Sequence, residues 1–176
     1  PVATVILWPE AMPDPYKCGR SISTWAFPQA MKWSEADKKG WISSEAKQDV
    51  GPVYSAMRVF HTWIGDSDRK ADHIMVDLNS PEGTVNVAFI DHGHSMSHTW
   101  KGPSANLSLC PHYLTDVPEV VDVMVKTAEH IATIDDDEIS RIVQRVPRAY
   151  LPEPHRENIL LNLLARKGRL RATLSI

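Results

Sequence analysis

The tightest constraint in this chain is a run of about forty residues, Pro52 to His94, in which a helical pattern, a polar loop, two strand patterns and a polar tip succeed one another. Val53, Met57, Phe60 and Ile64 recur at helical spacing, and Gly65 supplies the stop. Asp66-Ser67-Asp68-Arg69-Lys70-Ala71-Asp72 is then too polar to be anything but a loop. His73–Leu78 reads as a strand, Asn79–Gly83 as a turn, and Thr84–Ile90 as a second strand rich in valine. That strand stops at Asp91-His92-Gly93-His94. A chain built this way is committed to an α+β class, with a small antiparallel hairpin set against helices.

The rest of the sequence supplies those helices. Val117, Val120, Val121, Met124, Ala128 and Ile131 form one apolar stripe. Asp135-Asp136-Asp137-Glu138 reads as the capped start of a second helix, with Ile139, Ile142, Val143 and Val146 on one face and Pro147 as its end. A third helix starts at Pro152–Pro154, turns Ile159, Leu160, Leu163 and Leu164 inward, and carries basic residues from Arg166 to Arg171 near its end. Residues 1–51 read as an irregular flank: Thr4–Leu7 has the β-branched character of a short strand, Pro9, Pro13 and Pro15 keep it from extending further, and short polar helices fit between Trp8, Trp25, Trp33 and Trp41. With 176 residues, 43% of them hydrophobic, the chain is long enough for a real core, and its apolar runs are too short for a membrane span. A net charge of −3 gives no electrostatic footprint for nucleic acid. Cys18 and Cys110 lie far apart and make no metal-type pair, which fits reduced thiols in a cytoplasmic protein.

An antiparallel pair brings the loop before its first strand and the tip after its second to the same end. Asp68 and His73 are therefore expected near Asp91. Asp91 offers a hard oxygen suited to Mg²⁺, and His73 a neutral nitrogen or a hydrogen bond. Asp68 is placed to orient an attacking hydroxyl or take its proton. Kinases use this arrangement: a catalytic-loop aspartate five residues before a metal ligand, and a second aspartate after the next hairpin strand. Asp68, His73 and Asp91 stand at that spacing, without the H-R-D and D-F-G motifs of protein kinases.

Gly65-Asp66-Ser67-Asp68-Arg69-Lys70-Ala71-Asp72-His73-Ile74 resembles the D-R-x-x-x-N/H loop of phosphatidylinositol 3/4-kinases and of bacterial HipA-like kinases. Phe89-Ile90-Asp91-His92-Gly93-His94 resembles their I-D-F-G or I-D-H-G metal motif. Ile142–Pro147, Tyr150-Leu151 and Asn158–Arg166 are similar to the end of the HipA-like domain. The resemblance runs from about Val53 to Arg171, some two thirds of the chain. It implies a protein-kinase-like C-lobe over residues 52–176, with its catalytic loop at 65–73, its metal motif at 90–94 and a helical tail at 117–171. It implies ATP and Mg²⁺ as cofactors, Asp68 as the hydroxyl-activating aspartate, His73 and Asp91 at the metal and nucleotide, and an acceptor hydroxyl whose identity is open. Arg69 either steadies the loop through a carboxylate or touches phosphate, while Asp66 and Asp72 are expected to be solvated loop carboxylates.

Two departures bear on this. His73 stands where asparagine is usual, and the roughly 65 residues before Asp66 hold no glycine-rich loop and no phosphate-binding lysine of an N-lobe. Thr4–Leu7 suits the last strand of such a lobe, leading into the hinge. The chain thus reads as a C-lobe, either a fragment or a relative without the nucleotide clamp. Two rivals stand beside it: a non-catalytic kinase-like module that binds a protein partner, and a zinc hydrolase using His92, His94 and His98. Asp66-Ser67-Asp68 does not open a calcium loop, because Ala71 and Asp77 stand where glycine and glutamate are needed.

Overall fold

The computed structural model describes residues 30–66, 68–77, 85–90, 92, 95, 109–149 and 151–175. They form an α+β arrangement, mainly helical, with one small antiparallel sheet. The chain divides into two units: one of residues 1–53, 70–91 and 113–118, the other of residues 54–69, 92–112 and 119–176.

The first unit holds strand β1 (Ala30–Lys32), helix α1 (Trp33–Lys38) and the start of helix α2 (Ser44–Ile64). It continues with a 3₁₀ turn (Ala71–His73) and strands β2 (Ile74–Asp77) and β3 (Val87–Phe89). β2 is central and antiparallel to both neighbours; Met31 faces Val76, and Met75 faces Ala88. Ile74, Met75 and Val76 are all buried, so β2 is covered on both faces, which explains a continuous apolar run in place of alternation.

Three expectations change in this unit. The hairpin gains a third strand, β1, whose three residues are too few to carry a period. The strand expected from His73 begins at Ile74, because His73 closes the 3₁₀ turn through a bond from its own N–H to the Lys70 carbonyl at 2.9 Å. Of the flank read as irregular to residue 51, residues 30–51 are described, and α2 begins within it at Ser44, ahead of the helical pattern that starts near Pro52. Ser43 is its N-cap: the hydroxyl accepts the Ala46 N–H at 3.2 Å and the carbonyl accepts the Lys47 N–H at 3.1 Å. Pro52 lies inside the helix, at the cost of one ladder bond. The expected strand Thr4–Leu7 and turn Asn79–Gly83 lie outside the described residues.

The second unit contains the rest of α2 with helices α3 (Val121–Thr133), α4 (Asp136–Arg145), α5 (Glu153–Lys167) and α6 (Leu170–Leu174). Val59, Trp63, Met124, Ala128, Ile139, Val143, Ile159, Leu163 and Leu170 belong to one buried cluster. The Trp63 indole also donates to the Leu163 carbonyl at 2.9 Å, fixing α2 against α5. Asp135 caps α4 by accepting the Asp137 N–H at 2.8 Å, as its acidic start predicts. The stripes are narrower than the sequence pattern. α3 begins after Pro118, so Val117 precedes it, and Val121 and Ile142 are more than half exposed. Cys110 is a buried thiol, and burial pushes its pKa up to about 11, so it stays protonated. No helix among the described residues is long and apolar enough to cross a membrane.

Candidate functional site

The loop that carries the resemblance is launched by the C-terminus of α2. Gly65 has φ +66°, the left-handed conformation that glycine adopts without steric cost. The Gly65 N–H donates to the Thr62 carbonyl at 3.2 Å and the Asp66 N–H to the His61 carbonyl at 2.9 Å. Together these make a Schellman motif. Its geometry turns Asp66 back beside His61. A Cβ at Gly65 would overlap Arg166 Nη1 and lie 2.8 Å from its Cζ, so the guanidinium end would have to shift. Gly65→Ala is therefore expected to lower stability by about 1–3 kcal/mol, through positive-φ strain and displacement of a buried guanidinium. Urea unfolding checks this; a variant as stable as the parent would show that the loop takes another path.

Asp66 is not the solvated carboxylate the sequence suggests. It is 2% exposed, and Arg69 Nη1 donates to its Oδ2 at 3.2 Å with both side chains buried. A charged pair three residues apart pins the loop from inside, which explains why a polar loop can carry a buried acid. Arg69 thus steadies the loop through a carboxylate. Asp68, between these anchors in sequence, is half-buried. Asp72 also departs from the expectation of a purely solvated group. It accepts a hydrogen bond from the Ser34 hydroxyl, and that bond, with nearby Lys32 and Lys70, holds its carboxyl below the usual range.

His73 belongs to the other unit, at the entry to β2, and is 5% exposed. Its carbonyl accepts the Ile90 N–H at 2.9 Å, one step beyond the Ile74–Phe89 pair. The sheet therefore closes with His73 and Ile90 side by side, at the end the strand pattern predicts. Asp91 lies outside the described residues, as do His94 and His98.

Of the histidines in the polar tip, His92 is described, and it has two neighbours outside the set singled out in the sequence. His92 Nδ1 lies 3.5 Å from Asp66 Oδ2, and its ring centroid is 5.4 Å from that of His61. His61, Asp66 and His92 each present a ligand atom within 4.8 Å of the others. The sequence pattern conceals His61, because it sits beside the apolar stripe of α2 and reads as part of a core helix. The signal that could reveal it is its position, four residues before the terminating glycine, where the Schellman turn brings it against the residue after that glycine. In comparisons with family models, curated proteins and solved structures, the chain finds no match.

Proposed function

We propose that this chain is the C-lobe of a HipA-like phosphotransferase, which moves the γ-phosphoryl group of ATP to a hydroxyl acceptor with Mg²⁺. The observation that carries the reading is the register of β2 and β3. The Ile90 N–H bonds the His73 carbonyl at 2.9 Å, and Asp91 is the next residue in sequence. The chemistry requires a ligand position at the entry to one strand and an acid at the exit of its antiparallel neighbour. The anchored loop is the second support: the Asp66–Arg69 pair fixes the backbone on both sides of Asp68.

In this reading Asp68 orients the acceptor hydroxyl and takes its proton. The donor set fits Mg²⁺ through Asp91, whose carboxylate is a hard oxygen ligand. His73 offers nitrogen, which Mg²⁺ does not favour, and stands by as a weaker ligand or as a donor to phosphate. Bound with nucleotide, Mg²⁺ neutralises the charge that gathers on the phosphate oxygens. Arg69 supports the loop from its pair with Asp66.

Calorimetric titration of the chain with ATP, with and without Mg²⁺, tests this. The expected result is Mg²⁺-dependent binding that Asp91→Ala abolishes. Binding unchanged in Asp91→Ala would remove the metal role of that residue. No binding in either would leave the chain without a nucleotide half-site of its own.

A further inference from the structure

We infer that His61, Asp66 and His92 form a binding site for a divalent transition-metal ion, with Zn²⁺ the best fit, separate from the Mg²⁺ chemistry proposed above. Three observations converge on it, all within the second unit.

The first is spacing. A tetrahedral zinc ion with bonds of about 2.0–2.1 Å sets its ligand atoms about 3.3–3.4 Å apart. Asp66 Oδ2 and His92 Nδ1 already stand 3.5 Å apart, and all three ligand atoms fall within 4.8 Å of one another.

The second is the state of the Asp66 carboxylate. Its Oδ2 is held by Arg69, while Oδ1 is buried and accepts no hydrogen bond from the described residues. A buried carboxylate with an uncommitted oxygen is costly unless a cation uses it. Arg69 then does what outer partners of metal ligands do: it fixes the orientation of the carboxylate.

The third is the choice of residues at a recurring turn. α1 and α2 both end in a Schellman motif, at Gly40 (φ +68°) and Gly65 (φ +66°). This turn brings the residue after the glycine against the residue four before it, usually as an apolar contact. At Gly40 the two positions are Ala36 and Trp41, both apolar. At Gly65 they are His61 and Asp66, and His92 completes a set of two nitrogens and one oxygen. Such a set suits Zn²⁺ and its first-row neighbours; Mg²⁺ and Ca²⁺ want oxygen. Three protein ligands leave a fourth position for water. The bound ion would tie the last turn of α2, and the loop it launches, to the segment at His92.

The test is stoichiometric Zn²⁺ titration of the chelator-stripped chain against a chromophoric competitor, with Co²⁺ as spectroscopic probe. The expected result is one Zn²⁺ per chain, not displaced by millimolar Mg²⁺, and a tetrahedral Co²⁺ spectrum. Asp66→Asn, which keeps the shape, and His92→Ala, at a partly exposed position, each weaken binding by at least about tenfold. Both variants keep the helical circular-dichroism signal, so lost binding is not lost fold. The double variant His94→Ala, His98→Ala binds like the parent. Absence of stoichiometric Zn²⁺ in the parent overturns the inference. So does binding kept by Asp66→Asn but lost in the His94/His98 variant, which would move the ion to a histidine-only set in the tip. Neither readout involves ATP, so failure here leaves the phosphotransferase reading standing, and the reverse holds too.

Discussion

Asp68→Ala is expected to lower phosphoryl transfer by about 10²–10⁴-fold while leaving Mg²⁺-dependent ATP binding at the parent's affinity. The asymmetry comes from where the residue stands. The loop is held by the Schellman turn at Gly65 and by the buried Asp66–Arg69 pair, neither of which uses the Asp68 side chain. Its removal leaves both of these anchors in place, and the helical circular-dichroism signal should stay that of the parent. Under the proposed function, what is lost is the group that would orient the acceptor and accept its proton, a role that matters in the transition state and not in nucleotide binding. Asp68→Asn separates the two parts of that role. An amide still accepts a hydrogen bond from the hydroxyl but takes no proton near neutral pH, so a rate between parent and alanine variant would assign the difference to proton transfer. Measurement of transfer with γ-labelled ATP decides it. Near-parental turnover in Asp68→Ala would sink the assignment, whatever the nucleotide affinity.

The two anchors of that loop are unequally legible in the sequence. Gly65 is readable because one residue type is favoured strongly at a left-handed helix terminus. Asp135 is readable for a similar reason, since capping is a local bond between a side chain and a nearby N–H. The β2–β3 pairing can be anticipated from two apolar runs and a turn. What composition conceals is burial of polar residues. Asp66 stands in a run of seven loop residues, five of them charged, and nothing local marks it as an acid turned inward to meet Arg69 and His92. His61 is hidden for the opposite reason: its neighbours Phe60 and Trp63 mark a core helix, and a histidine there reads as filler. The start of α2 is lost to Pro52, which has the look of a first-turn proline, whereas Ser43 supplies the cap. Each miss involves a group whose partner is remote in sequence, or whose local preference is overruled by the rest of a helix.

Arg156→Met is expected to destabilise the second unit by about 3–5 kcal/mol, the largest effect on folding foreseen for any single substitution here. α4 has no glycine after it and ends on Val146 in an extended conformation, with Pro147 next, so its last carbonyls lack the turn that closes α1 and α2. Arg156, in the first turn of α5 and 1% exposed, takes that part. Its Nη1 donates to the Val143 carbonyl at 3.0 Å and to Gln144 Oε1 at 3.2 Å, and its Nη2 to the carbonyls of Val146 at 2.7 Å and Leu151 at 3.2 Å. One planar guanidinium thus caps a helix and fixes the turn from α4 to α5, beside the core residues Val143, Leu151 and Ile159. Methionine keeps much of the stem volume, so its deficit measures the bonds and not a cavity. Lysine restores the charge but not the fork; it reaches fewer carbonyls and should recover less than half of the loss. Equilibrium urea unfolding monitored by circular dichroism gives both numbers. If methionine costs less than about 1 kcal/mol, water reaches the freed carbonyls and the helix end is not sealed. If lysine matches arginine, charge at the end of α4 carries the effect through the helix dipole, and the geometry of the fork does not.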